Sequence, residues 1–249
     1  MSNDPRLNQA QPGTNECVPG DEAARHSPAF SVIQQQLIDA RDRLDRQVGC
    51  LTRMHAFNAH ALRLGAEADF IASVGEAIVD IFELEFGICW PLDDAGEIHG
   101  PLGYLGIQAS EQQLMETGKH VSRVLAERPK ALATIMAPET LPGITLEILL
   151  SQSIGATCRD AEGRAVALLL GGNTAPGARF FEALTPELGE TFGLFAQQLG
   201  ALIENRKGRT IIEQQMAEIR HADRRLRMMC DNVPDMIWAK DLENRYLFA

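Results

Sequence analysis

Apolar positions spaced alternately four and three apart begin near residue 30. Ile33, Leu37, Ala40, Leu44, Gln47, Leu51 and Met54 form a heptad-like stripe, and the charges of "DARDRLDR" fall on the other faces. The spacing predicts a helix over residues 30–64. A second helix is predicted over 67–84, with Phe70, Ile71, Val74, Ala77, Ile78, Ile81 and Phe82 on one face. The period then shortens towards two. "EFGICWPLDDAGEIHGPLGYLGI" alternates, breaks at Asp93-Asp94-Ala95-Gly96 and resumes, which reads as strand, turn, strand. Ser110 followed by Gln113 is a capping box for a helix whose inward face is Leu114, Gly118, Val121 and Leu125, closed by Pro129. Residues 130–150, with Pro138, Pro142 and Gly143, read as a loop with a short helix. A clearer hairpin follows, "SIGATCRD" and "RAVALLLGGN" around the turn "AEG".

The last element is the longest. Thr185 suits an N-cap, Pro186 the first helical position, and Glu187 and Glu190 the positive end of the dipole. Apolar residues then recur from Leu188 through Phe192, Phe195, Leu199, Leu202, Ile212, Met216 and Ile219 to Leu226. Unbroken to Met229, this helix would be roughly 65–70 Å long at about 1.5 Å per residue. Such a helix outreaches its own domain and must pair with something.

Composition narrows the classes. The 249 residues are 45% hydrophobic and 23% charged, enough for one domain of ordinary size with helices and tails, or for two small domains. A net charge of −11 argues against nucleic acid and against an anionic membrane surface. No apolar run reaches the eighteen or so residues of a bilayer span, and the N-terminus lacks the pattern of a secretory signal. A cytoplasmic chain without membrane insertion is expected. Cys17, Cys50, Cys89, Cys158 and Cys230 are scattered, odd in number and never in a C-x-x-C pair, so reduced thiols are expected. Residues 1–29, rich in proline and poor in large apolar groups, read as a disordered tail.

Three motifs in this order resemble a GAF domain. "FELEFGICWPLDDAGEIHG" resembles its first hairpin, "SIGATCRDAEGRAVALLLGGN" its buried strand, D-x-x-G turn and Asn-ended strand, and "LTPELGETFGLFAQQLGALIENRK" its exit helix. The likeness covers about residues 50–207. It implies an α+β fold, an α/β sandwich with a central antiparallel sheet, flanking helices and long coiled-coil-like helices at both ends. "MCDNVPDMIWAKDLENRYLFA" resembles the first helix and strand of a PAS domain. The expected organisation is therefore a tail over 1–29, a dimerisation helix over 30–64, a GAF-like domain over 50–207, a helical linker over 208–229 and a truncated PAS start over 230–249. That start would expose Ile237, Trp238, Tyr246 and Phe248 or pack them elsewhere.

The resemblance also suggests where a ligand would sit. Trp90 is the first candidate to face it, with Ile88 on the same side and Cys89 turned towards the packing helices; Tyr104 and Arg159 are weaker candidates. The alternative for Trp90 is a core aromatic filling the same space. The cyclic-nucleotide signature fails, because Asn173 is followed by Thr174 rather than lysine and no Asp-Glu pair follows Phe181. Neither Cys89 nor Cys158 has the adjacent histidine of a bilin attachment site. The six histidines form no metal-ligand spacing, and "LLLGGNTAPGAR" lacks the ending of a phosphate loop. No catalytic residue, metal site or cofactor is assigned.

The expected function is a sensory or regulatory GAF module of a signal-transduction protein. It would form a homodimer through Leu37, Leu44 and Leu51 on the first helix and Ile212, Met216 and Ile219 on the last. A change in the core, driven by a small molecule or by dimerisation, would pass through the linker to a PAS module and then to a histidine kinase or diguanylate cyclase output. Gly208 is expected to interrupt the linker, and Arg206 and Arg209 to weaken its seam. A ligand-free dimerisation scaffold is the alternative. Ranked below both is a GAF-type reductase of free methionine sulfoxide, which would need Cys89 or Cys158 as an accessible thiolate.

Overall fold

The computed structural model describes residues 28–141, 150–181, 183–231, 239–243 and 245–248. Nearly all of the tail expected over 1–29, and Ile237 and Trp238 of the expected PAS start, lie outside the described residues. So does the greater part of "ITLEILLSQ", where the short helix was expected.

The elements run α1 (Pro28–Ala61), α2 (Glu67–Phe82), β1 (Phe86–Pro91), β2 (Gly103–Leu105), α3 (Glu111–Ala126), β3 (Thr134–Met136), β4 (Leu150–Arg159), β5 (Ala165–Thr174), α4 (Pro186–Asp231), β6 (Ala239–Lys240) and β7 (Tyr246–Phe248). Strands β1–β5 form one antiparallel sheet in the order β2-β1-β5-β4-β3, and β6 pairs with β7 separately. This is the expected α+β class: a central antiparallel sheet with flanking helices. The chain divides into two compact units, residues 1–49 and 50–249. In the first, the described helical side chains from Ser31 to Asp39 and from Arg41 to Val48 are all exposed, Leu37 and Leu44 among them.

In the second unit the period-two alternation of the strands sorts side chains into two cores. Cys89, Leu169, Ala167, Ala156 and Cys158 pack under the end of α1 from Cys50 onward, under α2 and under the first turns of α4. Phe86, Ile88, Trp90, Leu168 and Leu170 point the opposite way, towards Leu114, Val121 and Leu125 of α3. Each face thus receives one apolar layer. All seven residues assigned to the inward face of α2 are buried.

Local signals fix the ends of several elements. The Ser110 hydroxyl accepts from Gln113 N while the Gln113 side chain accepts from Ser110 N, the capping box expected for α3. The Thr185 hydroxyl accepts from Leu188 N at 3.2 Å at the start of α4. Three turns use one device. In each, an aspartate backbone N–H donates to the carbonyl four residues on and its carboxylate accepts that residue's N–H. The pairs are Asp93 with Glu97, Asp160 with Arg164 and Asp241 with Arg245. Gly96 and Gly163, at φ of +80° and +82°, take the left-handed step that closes the first two.

The structure departs from the sequence reading at three places. Residues 134–136 form an edge strand where a loop was expected. The second strand of the first hairpin shrinks to Gly103–Leu105, preceded by a lone bridge between Leu92 and Ile98. Gly208 does not interrupt α4, which runs unbroken for 46 residues.

Candidate functional site

The face of the sheet under α3 is where a ligand was expected, and among the described residues its centre is occupied by Trp90. Trp90 is wholly buried, and its Nε1 donates to Leu114 O at 2.9 Å, satisfying its one polar atom. The indole lies against Gly118, where a Cβ would come within 2.8 Å of Nε1. Ile88, Phe86, Leu114, Val121 and Leu170 are likewise almost completely inaccessible. The buried indole is held in place by its hydrogen bond and by packing against Gly118.

The four residues singled out for ligand contact do not converge. Ile88 and Trp90 lie together in the α3-side core. Tyr104 pairs with Ile88 across the β1–β2 ladder but is 48% exposed on the edge strand. Arg159 is exposed at the far end of β4, where its Nη1 donates to Gly163 O at 2.9 Å. Of the six dimerisation candidates, all are exposed: Leu37 and Leu44 in the first unit, and Leu51, Ile212, Met216 and Ile219 in the second.

The thiols are sealed. Cys89 and Cys158 are inaccessible in the helix-side core. Burial pushes the Cys89 thiol up to about 12 and, with Cys89 nearby, raises Cys158 well above its ordinary value. Reductase chemistry needs a thiolate at neutral pH, and neither residue supplies one. Among the described residues no group of three His, Cys, Asp or Glu side chains could hold a metal, and no described helix is long and apolar enough to cross a membrane.

A residue that the sequence reading placed on a weak seam has another position. Arg206 of α4 donates to four carbonyls at the α1–α2 corner: Ala61 at 3.0 Å, Leu64 at 2.8 Å, Gly65 at 3.1 Å and Ala66 at 3.3 Å. Its guanidinium also stacks 4.6 Å from the Phe70 ring centroid. The cation thereby answers the negative end of the α1 dipole at Ala61 O and ties down the connection to α2 through Leu64, Gly65 and Ala66. Nearby, Asn58 Nδ2 donates to Gln198 Oε1 and Phe57 packs on Phe195 at 5.6 Å, so the end of α1 and this part of α4 run in the same direction. Beyond Gly208 the helix changes character: from Arg209 to Met229 every residue is exposed.

No family model matches the sequence, and no curated protein does. Among solved structures, the GAF domain of a candidate sensor histidine kinase from Pseudomonas syringae pv. tomato is similar at 14% identity, over 70% of this chain and 99% of that one, with a TM-score of 0.47. The GAF domain of an Acinetobacter phosphoenolpyruvate-protein phosphotransferase is similar at 9% identity, over 64% and 94%, with a TM-score of 0.47. That of the corresponding Coxiella burnetii protein is similar at 12% identity, over 66% and 98%, with the same TM-score of 0.47. At such identities and scores neither ligand nor activity passes from these domains to this chain.

Proposed function

We propose that this chain is a GAF-type regulatory module that acts as a dimerisation scaffold and seats no ligand against Trp90, with α4 as the element that carries its state onward. The observation that carries the reading is the free half of α4. Ile212, Met216, Ile219 and Leu226 repeat at spacings of four, three and seven, and all are more than half exposed. A lone helix gains little from such a seam, whereas two copies bury it against each other. Trp90, buried and hydrogen-bonded under α3, supports the scaffold over a ligand sensor that would stack on its indole. In the signalling assembly so proposed, α4 leads into a PAS-type element, of which the β6–β7 hairpin is the described part, and the output is of the histidine kinase or diguanylate cyclase class.

Sedimentation equilibrium tests this. The wild-type chain is expected at twice its 27.3 kDa mass. The double variant Ile212→Glu, Ile219→Glu is expected as a folded monomer whose near-ultraviolet circular dichroism matches the wild type, because both side chains are exposed in the single chain. A monomeric wild type at high concentration, or a dimer indifferent to both substitutions, sinks the reading.

A further inference from the structure

A cleft of about 440 Å³ opens beside the α3-side core, with which it shares Leu125, on the part of the second unit's sheet away from Tyr104. Its walls come from four places: Leu125 and the segment Arg128–Leu132 after α3, Thr157 and Arg159 of β4, the Asp160–Gly163 turn, and Gln197, Ala201 and Glu204 of α4. Three of the lining side chains are cations, Arg128, Lys130 and Arg159, in a chain whose net charge is −11. Of the two lining carboxylates, Asp160 is paired with the Arg164 guanidinium, whereas Glu204 keeps its charge on the α4 wall and accepts one backbone N–H. Asp160 accepts from Arg164 N at 2.8 Å and from Arg164 Nε at 2.7 Å, and Glu204 Oε2 accepts from Ala161 N at 3.0 Å. Neither Arg128 nor Lys130 has a described ion-pair partner, and Arg159 is committed only through one Nη1 bond to a backbone carbonyl.

We infer that this cleft is a binding site for a small organic oxyanion carrying two or more negative charges, such as a polycarboxylate or a phosphate ester. Three exposed cations lining one concavity against the single unpaired carboxylate of Glu204 suit such a ligand, because guanidinium pairs with carboxylate or phosphate oxygens two at a time and the ammonium adds a point charge. Leu125, Leu132 and Ala201 supply apolar wall, and the Thr157 hydroxyl and Gln197 amide supply neutral hydrogen-bonding groups, the mixture that orienting sites have. The volume admits a molecule of metabolite size.

The position gives the site a consequence. Gln197, Ala201 and Glu204 lie at i, i+4 and i+7 on α4, just ahead of the Arg206 clamp. The backbone of Arg159 touches α4 so closely at Gly200 that any Cβ there would collide with the Arg159 carbonyl. A ligand held by Arg159 on one wall and facing α4 on the other therefore bears on the element that leaves the domain. It can shift that element to the extent that it prefers one arrangement over another.

Isothermal titration of the full chain with citrate and with fructose 1,6-bisphosphate separates the carboxylate and phosphate sources, with sodium sulfate as the plain-ion probe. At least one organic probe is expected to bind more tightly than sulfate. The variant Lys130→Gln, Arg159→Gln should lose about tenfold or more in affinity, the scale of a removed charge-assisted hydrogen bond. The surface variant Arg209→Gln should bind as the wild type does. Absence of heat with both organic probes overturns the site, as does equal affinity in wild type and double variant, or sulfate, an adventitious ion only, binding as tightly as the better of the two probes. Because the readout does not involve the α4 seam, a monomeric chain that binds citrate would reject the dimer and keep the cleft.

Discussion

Gly118 and Gly208 both sit inside helices, yet alanine should act in opposite directions at the two. In either case the helix gains about 1 kcal/mol of intrinsic propensity. At Gly118 a Cβ would crowd the Trp90 indole and Ile98, and the indole cannot retreat without giving up its bond to Leu114 O. Overpacking of that kind costs about 1–3 kcal/mol, so Gly118→Ala should lower stability in urea denaturation. At Gly208 nothing lies within 4 Å of the new atom, and Gly208→Ala should instead raise hydrogen-exchange protection in the surrounding turns of α4. The thiols give a second expectation. With Cys89 raised to about 12, the folded chain keeps its proton where an unfolded thiol has lost it, so stability should fall as pH rises above about 9. Mass-mapped alkylation at pH 8 should leave Cys89 and Cys158 unmodified until the chain unfolds. Asp160 behaves in the opposite sense. Burial works to raise its carboxyl, but the hydrogen bonds and charge of Arg164 outweigh burial and hold it below the ordinary range. Its contribution is present above an unfolded pKa of about 4 and disappears as pH falls through the lower folded value, which a carbon-detected NMR titration of Asp160 would follow.

At the scale of elements, what could be foretold followed from local chemistry. The α2 stripe, the Ser110–Gln113 box and the β4–β5 hairpin depend on neighbours within a few residues, and each is found where the pattern put it. β2 and β3 were not legible in full, because three residues are too few for an alternating period to emerge. The face of Trp90 was legible from alternation, while its filling of the core depends on Gly118, a glycine twenty-eight positions on that makes room for the ring. The cleft is illegible in sequence for the same reason: Arg159 sits in β4, while its other two cations arrive from the segment after α3, about thirty positions earlier. The clamp made by Arg206 is likewise hidden from local pattern, because its partners lie about 140 positions away in sequence. Replacing it tests the clamp. Arg206→Met keeps the apolar stem but removes the charge-assisted bonds, and should cost about 1.5–3 kcal/mol. The loss should appear in hydrogen exchange at residues 61–66 and in α4 near 206, with α3 unaffected. Unchanged protection at the corner would show that the four carbonyls are served equally well by water.

For the whole molecule the decisive quantity is how charge is distributed along α4 and the body that holds it. Residues 204–227 carry seven Lys or Arg against four Asp or Glu, whereas residues 50–203 carry nine against nineteen. A basic rod therefore leaves an acidic body. Two copies can pair their α4 seams in two ways, and the electrostatics differ in sign. Side by side in the same direction, rod faces rod and body faces body, so both contacts join like charges. In opposite directions, the basic rod of one copy lies towards the acidic body of the other. Salt screens either effect: the screening length falls from roughly 30 Å at about 0.01 M to roughly 3 Å at about 1 M. Burial of the Ile212, Met216 and Ile219 seam is not weakened by that change. A parallel pair should accordingly associate more tightly as salt rises, and an antiparallel pair more weakly. The proposed relay needs the parallel pair, since only then do both copies deliver α4 to the same end. Sedimentation equilibrium across that salt range should show the dimer strengthening; a dimer that dissociates as salt is added would mean that the two rods point in opposite directions, and the relay through α4 would fail even though the dimer itself stood.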